Sequence, residues 1–219
     1  MSGGVPTSHY ATTHRVQHLL DNITDRLTHR SAGVFSRETV ERCVNESYDL
    51  LAVNATVSTH LSALTERFAA DRLRAAASSQ GAAVGTAQPE VLFVCVQNAG
   101  RSQMAAALLN HHAQGRVTVR SAGSAPAGDV DPAVVEVMRE IGIDISQEFP
   151  KPLTNDVVQA SGVVITMGCG DACPIFTGKR YLDWELEDPA GKTPEQIRPI
   201  RDDIDGRIRD LLTELAVSA

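Results

Sequence analysis

Residues 91–107 read VLFVCVQNAGRSQMAAA, and how this stretch folds decides the architecture around it. Residues 91–94 are short, apolar and partly β-branched, the pattern of a strand buried on both faces of a parallel sheet. The run stops at Cys95. A small, flexible loop of Val96, Gln97, Asn98, Ala99 and Gly100 leads to Arg101, Ser102 and a helix-forming series over 103–110. Strand, tight loop and helix start together make an oxyanion trap: loop N–H groups and the helix dipole converge on one spot, where Arg101 adds a fork of donors. Cys95 lies at its floor. A helix N-terminus and a guanidinium favour the thiolate, so Cys95 is expected as a nucleophile. Ser102 is placed to donate a hydrogen bond to it, and Gly100 lets the backbone turn close to a tetrahedral anion. A cysteine and an arginine at this spacing also arise by chance; the strand before and the helix after make the match specific.

The 219 residues hold one large domain or two small ones, with a sizeable core. A formal net charge of -7 and only three lysines argue against a nucleic-acid or anionic-membrane surface, so an anionic ligand has to be attracted locally. MSGGVPTSHY at the start lacks an apolar signal core and no run approaches membrane-spanning length, which reads as a cytoplasmic protein. Four cysteines in such a chain point to chemistry or metal binding more than to a disulfide scaffold.

Outward from residues 91–107, two regions differ in kind. Residues 11–78 have helical spacing and no strand pattern: Val16, Leu19, Leu20, Ile23 and Leu27 mark one apolar face, Val40, Val44, Tyr48 and Leu51 a second, Leu61, Leu64 and Phe68 a third. Breaks at Ser31-Ala32-Gly33 and Asn54-Ala55-Thr56 make this an antiparallel three-helix bundle over residues 1–80, small enough that docking or pairing as a homodimer would steady it. Cys43 reads as a core residue there. Residues 75–89 are small and flexible and read as linker sequence, with 81–89 as the linker between the two domains. Residues 90–219 then alternate strands and helices. Strands are expected at 116–120, 162–167 and 181–184, a helix capped by Asp131-Pro132 and ending at Gly142, a short helix capped by Thr154, and a long closing helix opened by the capping box Thr193-Pro194-Glu195-Gln196. The fold class is α/β: a parallel four-stranded sheet flanked by helices and preceded by the bundle. Ligands of such sheets sit beyond the carboxyl ends of the strands, where Cys95 falls.

Two more cysteines, Cys169 and Cys173, follow the strand at 162–167. If that strand lies beside the first, three thiols converge. A zinc site would lack its fourth ligand, and small buried residues in a turn are another reading. The spacing favours a redox pair, because cysteines four apart in a helical turn place their Cα atoms about 6 Å apart. Asp188-Pro189 lies after the fourth strand and could hold a general acid, although Asp-Pro is also a frequent turn pair without chemistry.

With Cys95-x5-Arg101-Ser102 after a strand and Asp188-Pro189 near the end, residues 89–217 resemble the low-molecular-weight protein tyrosine phosphatases. Cys169 and Cys173 make the chain similar to the arsenate reductases built on that fold, of the actinobacterial type with an N-terminal three-helix extension to which no activity attaches. The resemblance implies an arsenate reductase in which the 96–101 loop holds arsenate and Asn98 orders the pocket, with Ser121 near it. Cys95 would attack arsenic while Asp188 protonates the departing oxygen. Cys169 and then Cys173 would carry the disulfide away, and thioredoxin, drawing on NADPH through its reductase, would reset it. No tightly bound cofactor or metal is implied beyond, at most, a potassium ion. Thioredoxin-coupled members usually separate the last two cysteines more widely than here. A mycothiol-dependent reductase, a phosphatase lacking aromatic pocket walls, and an arsenite-binding module are the alternatives.

Overall fold

The structure, a computed structural model, describes residues 7–53, 60–81, 88–168 and 172–217. The chain divides into two compact units between Arg74 and Ala75. The first contains α1 (Thr7–Arg30), α2 (Arg37–Ala52) and most of α3 (Leu61–Ser79). The chain turns after α1 at Ser31-Ala32-Gly33, where Gly33 takes φ 81, and α2 opens on Ser36, whose side chain accepts from the Thr39 N–H. The expected break at Asn54-Ala55-Thr56 lies outside the described residues. Leu20, Ile23 and Leu27 of α1 meet Val40 and Val44 of α2 and Ala69 and Leu73 of α3 in one apolar cluster, with Cys43 packed against it. Leu19 is a correction: it is 43% exposed, because the three-to-four spacing of Leu20, Ile23 and Leu27 turns position 19 off the core face. Residues 75–79 are another correction, being the last turn of α3 rather than linker. Ala75, Ala76 and Ala77 are the strongest helix formers, and the first glycine comes only at Gly81. Among the described residues no helix is long and apolar enough to cross a membrane.

In the second unit the strands β1 (Glu90–Cys95), β2 (Thr118–Gly123), β3 (Val163–Thr166) and β4 (Arg180–Asp183) form a parallel sheet in the order β2-β1-β3-β4. The helices α4 (Arg101–Ala113), α5 (Pro132–Glu140), α6 (Asn155–Ala160) and α7 (Pro194–Val217) connect and close it. Strand β2 starts and ends later than residues 116–120. Ser121, Ala122 and Gly123 pair with Phe93, Val94 and Cys95, so small residues that look like a turn continue the ladder to the end of β1. Asp131 caps α5 through Ala133 N–H at 2.8 Å, and Thr193 N–H donates to Gln196 Oε1 at 3.1 Å at the start of α7. Thr154 precedes α6 without a side-chain cap bond.

Alternation along β1 sorts the core into two layers. Val91, Phe93 and Cys95 join the cluster with α4, α5 and α7, where Phe93 and Trp184 rings lie 5.8 Å apart. Leu92 and Val94 join the other, with Val157 and Val158 of α6.

In the bundle, Glu66 of α3 accepts from Arg26 at 2.6 Å and Arg30 at 2.8 Å of α1. The Arg26 hydrogen bond, helped by the charges of both arginines, outweighs burial and holds the Glu66 carboxyl below the ordinary carboxylate range. A depressed folded titration means stabilisation present at neutral pH and lost as pH falls through the folded titration. Glu66→Gln is expected to lower unfolding free energy by about 0.5–1 kcal/mol at neutral pH. Urea unfolding should show that gap closing in acid; a gap unchanged by pH would contradict the ion pair as its source.

Candidate active site

Strand β1 ends at Cys95 and α4 begins at Arg101, so loop 96–100 crosses the carboxyl end of the sheet. The N–H groups of Ser124, Ala125, Ala127 and Asp131 donate to the carbonyls of Cys95, Val96, Gln97 and Ala99, at 3.1, 2.8, 2.9 and 3.0 Å. No described peptide bond is cis. In a planar trans peptide the N–H points opposite to the carbonyl before it, so tying these carbonyls to segment 124–131 turns the amides of Val96, Gln97, Asn98 and Gly100 away from it. The Asn98 amide reaches Cys95 Sγ at 3.2 Å.

Asn98 adopts φ 48, a left-handed conformation that asparagine tolerates better than most residues. Its Nδ2 donates to Ser102 Oγ at 2.7 Å, and Ser102 Oγ lies 3.0 Å from Cys95 Sγ. Accepting from Asn98 leaves the Ser102 proton for the sulfur. Asn98 Oδ1 accepts from Lys151 N–H at 2.8 Å, and Gln103 Nε2 donates to Asn98 O and Oδ1. Glycine is required at Gly123, where a Cβ would lie 2.7 Å from Val96 O and 3.0 Å from Asn98 Cβ. At Gly100 a Cβ would stand 2.5 Å from Pro189 Cγ, so the loop and the Asp188-Pro189 turn fit directly against each other.

Arg101, 9% exposed, sends Nη2 to Asp188 Oδ2 at 2.9 Å. Asp188 is more open, and its other oxygen accepts from Ala190 N–H at 3.1 Å, which shapes the turn. Cys95, Val96, Gln97, Asn98, Ala99, Gly100, Arg101, Ser102 and Asp188 are thus gathered at one place: a thiol, inward amides, a guanidinium and a carboxylate suited to a small oxyanion. Both oxygens of Asn98 accept from N–H donors, and no group of three or more His, Cys, Asp or Glu that could hold a metal gathers among the described residues.

Of the three thiols expected to converge, only Cys95 and Cys173 are described. Strand β3 does lie beside β1, but Cys173 is buried in the cluster with Leu92, Val94, Val158 and Val164, on the sheet face opposite to Cys95. Tyr181 explains this: its hydroxyl accepts from Phe176 N–H at 2.9 Å and donates to Pro174 O at 3.1 Å, holding the chain after Cys173 against β4. Cys169 lies outside the described residues. Ser121 is buried in β2, paired in register with Phe93.

Sequence reasoning missed segment 124–131, Lys151, Gln103 and Gly123. The one local signal was a glutamine among the apolar and small residues Met104, Ala105, Leu108 and Leu109 that α4 buries. The backbone contacts come from tertiary pairing and leave no side-chain signature.

Residues 90–218 match the low molecular weight phosphotyrosine protein phosphatase model, and the chain belongs to that family. Residues 20–77 match the protein-tyrosine-phosphatase-like N-terminal domain. The structure of the thioredoxin-dependent arsenate reductase of Corynebacterium glutamicum is 50% identical, with a TM-score of 0.83, covering 92% of this chain and 98% of that one. The arsenate reductase of Staphylococcus aureus is 36% identical over 118 residues, 52% of this chain and 88% of its own. The glutaredoxin arsenate reductase of Synechocystis is 35% identical over 130 residues, 58% of this chain and 98% of its own.

Gly123→Ala is expected to destabilise the second unit by roughly 1–3 kcal/mol and displace the loop. Iodoacetamide should then alkylate Cys95 more slowly than in the parent; an unchanged rate in a folded variant would contradict this packing.

Proposed function

We propose that this chain reduces arsenate to arsenite, using Cys95 as nucleophile and thioredoxin as reductant. The observation that supports the proposal is a loop of turned-in amides beside a guanidinium, closed on a cysteine, in a chain half identical to a thioredoxin-dependent arsenate reductase over nearly the whole of both. Arsenate enters the loop, and the amides of Val96, Gln97 and Gly100 take its oxygens. Arg101 turns from Asp188 to the anion, since a doubly bonded guanidinium–oxyanion pair is the stronger partner. The Cys95 thiolate, steadied by Asn98 N–H and Ser102, forms the S–As bond, and Asp188, relieved of Arg101, gives a proton to the departing oxygen.

The Cys169 thiolate next attacks Cys95 Sγ. The S–As bond breaks toward arsenic, which leaves as arsenite with the electron pair, and a Cys95–Cys169 disulfide remains. The Cys173 thiolate attacks Cys169, Cys95 departs as thiolate, and the Cys169–Cys173 disulfide is reduced by the thioredoxin dithiol, supplied by NADPH through its reductase. Cys173 has to leave its apolar cluster for this step, so the segment around it moves. A cytoplasmic location and no nucleic-acid or membrane partner belong to the same proposal. So does self-association through the N-terminal bundle, which its small size motivates.

A phosphatase acting on aromatic esters is less well supported, because Trp184 and Phe93 pack into the core instead of walling the loop. Arsenate-dependent NADPH oxidation with thioredoxin and its reductase should be robust. Cys95→Ser, Cys169→Ser or Cys173→Ser should each reduce it to background, and Asp188→Asn should lower it by roughly 10²–10⁴-fold. Activity only with mycothiol and a mycoredoxin, or with glutaredoxin, would move the reductant. Arsenite binding without turnover would favour a binding module, and brisk p-nitrophenyl phosphate hydrolysis independent of Cys169 would overturn the proposal.

A further inference from the structure

Gln103 is 2% exposed, yet it carries a primary amide on the buried side of α4. Burying an amide without partners is costly, and this one is richly partnered. Its Nε2 lies 3.0 Å from Asn98 O, 3.2 Å from Asn98 Oδ1 and 3.0 Å from Phe149 O. Two N–H bonds meeting three acceptors means that one proton is shared across the two Asn98 oxygens while the other goes to Phe149.

This arrangement decides how the Asn98 amide is turned. Its oxygen faces two donors, Gln103 Nε2 and the Lys151 N–H; reversed, its NH₂ would face both of them. With the oxygen held there, Nδ2 points at Ser102 Oγ, and Ser102 in turn has its proton for Cys95 Sγ. The same bonds brace Asn98 at φ 48, the conformation that brings its N–H to the sulfur.

We infer that Gln103 is a positioning residue: it fixes the orientation of Asn98, and through Asn98 and Ser102 sets the hydrogen bonds received by the Cys95 sulfur, tying the loop to the chain at 149–151. It touches no reacting atom. The inference rests on the proposed function only in taking Cys95 as the nucleophile.

Two full-chain variants test it. Gln103→Met keeps length and apolar bulk but has no donor; Gln103→Glu sets a carboxylate against the Asn98 oxygens when ionised and a donating O–H when protonated, and burial among oxygens favours the protonated form. Cys95 alkylation by iodoacetamide, followed by peptide mass spectrometry, is compared with the parent from alkaline to mildly acid pH, together with kcat and KM for arsenate. Gln103→Met should slow alkylation and kcat by about tenfold or more while KM stays within about threefold, as expected for a nucleophile misaligned beside an intact anion cradle. The rate of Gln103→Glu relative to the parent should be low where the carboxyl is ionised and rise as it protonates, which loss of packing alone would not produce.

A folded Gln103→Met chain alkylated within about twofold of the parent would overturn the inference, leaving Gln103 as a packing residue. So would a Gln103→Glu ratio that does not vary with pH, and this result decides alone if Gln103→Met fails to fold. Altered alkylation in the variants with no arsenate turnover in the parent would sink the reductase proposal and leave Gln103 in its role.

Discussion

Backbone hydrogen bonds from Ser124, Ala125, Ala127 and Asp131 to the carbonyls of the 95–99 loop are the constraint on which the site depends. They turn the amides of Val96, Gln97, Asn98 and Gly100 away from segment 124–131, that of Asn98 onto Cys95 Sγ, and they exist because β2 runs parallel beside β1 and delivers its outgoing chain to the same end of the sheet. Gly123 is where that approach is closest. Arg101, at the start of α4, and the Asp188-Pro189 turn packed on Gly100 complete the enclosure. The cradle proposed for the oxyanion is a backbone object, and side chains contribute chiefly by holding it still.

The two cysteines described in this unit fall in different apolar clusters. Cys95 belongs to the cluster with α4, α5 and α7, and Cys173 to the cluster on the other face with α6. For the proposed relay this separation has a use: the resolving thiol is sheltered until the segment carrying it moves. Tyr181 is one of its restraints, and two hydrogen bonds at about 1 kcal/mol each are few enough to be undone within a catalytic cycle.

Much of this was legible in the sequence, because local chemistry decided it. An apolar run ending at Cys95, the small loop, and Arg101-Ser102 opening a helix are strong signals that tertiary context did not override. Asp131-Pro132 and the Thr193–Gln196 box placed helix starts for the same reason. Illegible parts depend on pairing at a distance. Ser121-Ala122-Gly123 looked like a turn and became the paired end of β2, the alanines at 75–77 looked like linker and extended α3, and Cys173 was drawn toward Cys95 by loop order alone. Gln103 stood in plain view as an amide among apolar neighbours, but its partners at Asn98 and Phe149 only the fold could supply.

A single turnover would show whether electrons pass from one cysteine to the next as proposed. Fully reduced chain would be mixed with arsenate in the absence of thioredoxin, quenched with acid at increasing times, and its disulfides mapped by peptide mass spectrometry. A Cys95–Cys169 disulfide that rises first and gives way to Cys169–Cys173, with one arsenite released per chain oxidised, is the predicted course. Arsenite release with no disulfide among these cysteines, or a direct Cys95–Cys173 bond, would contradict it.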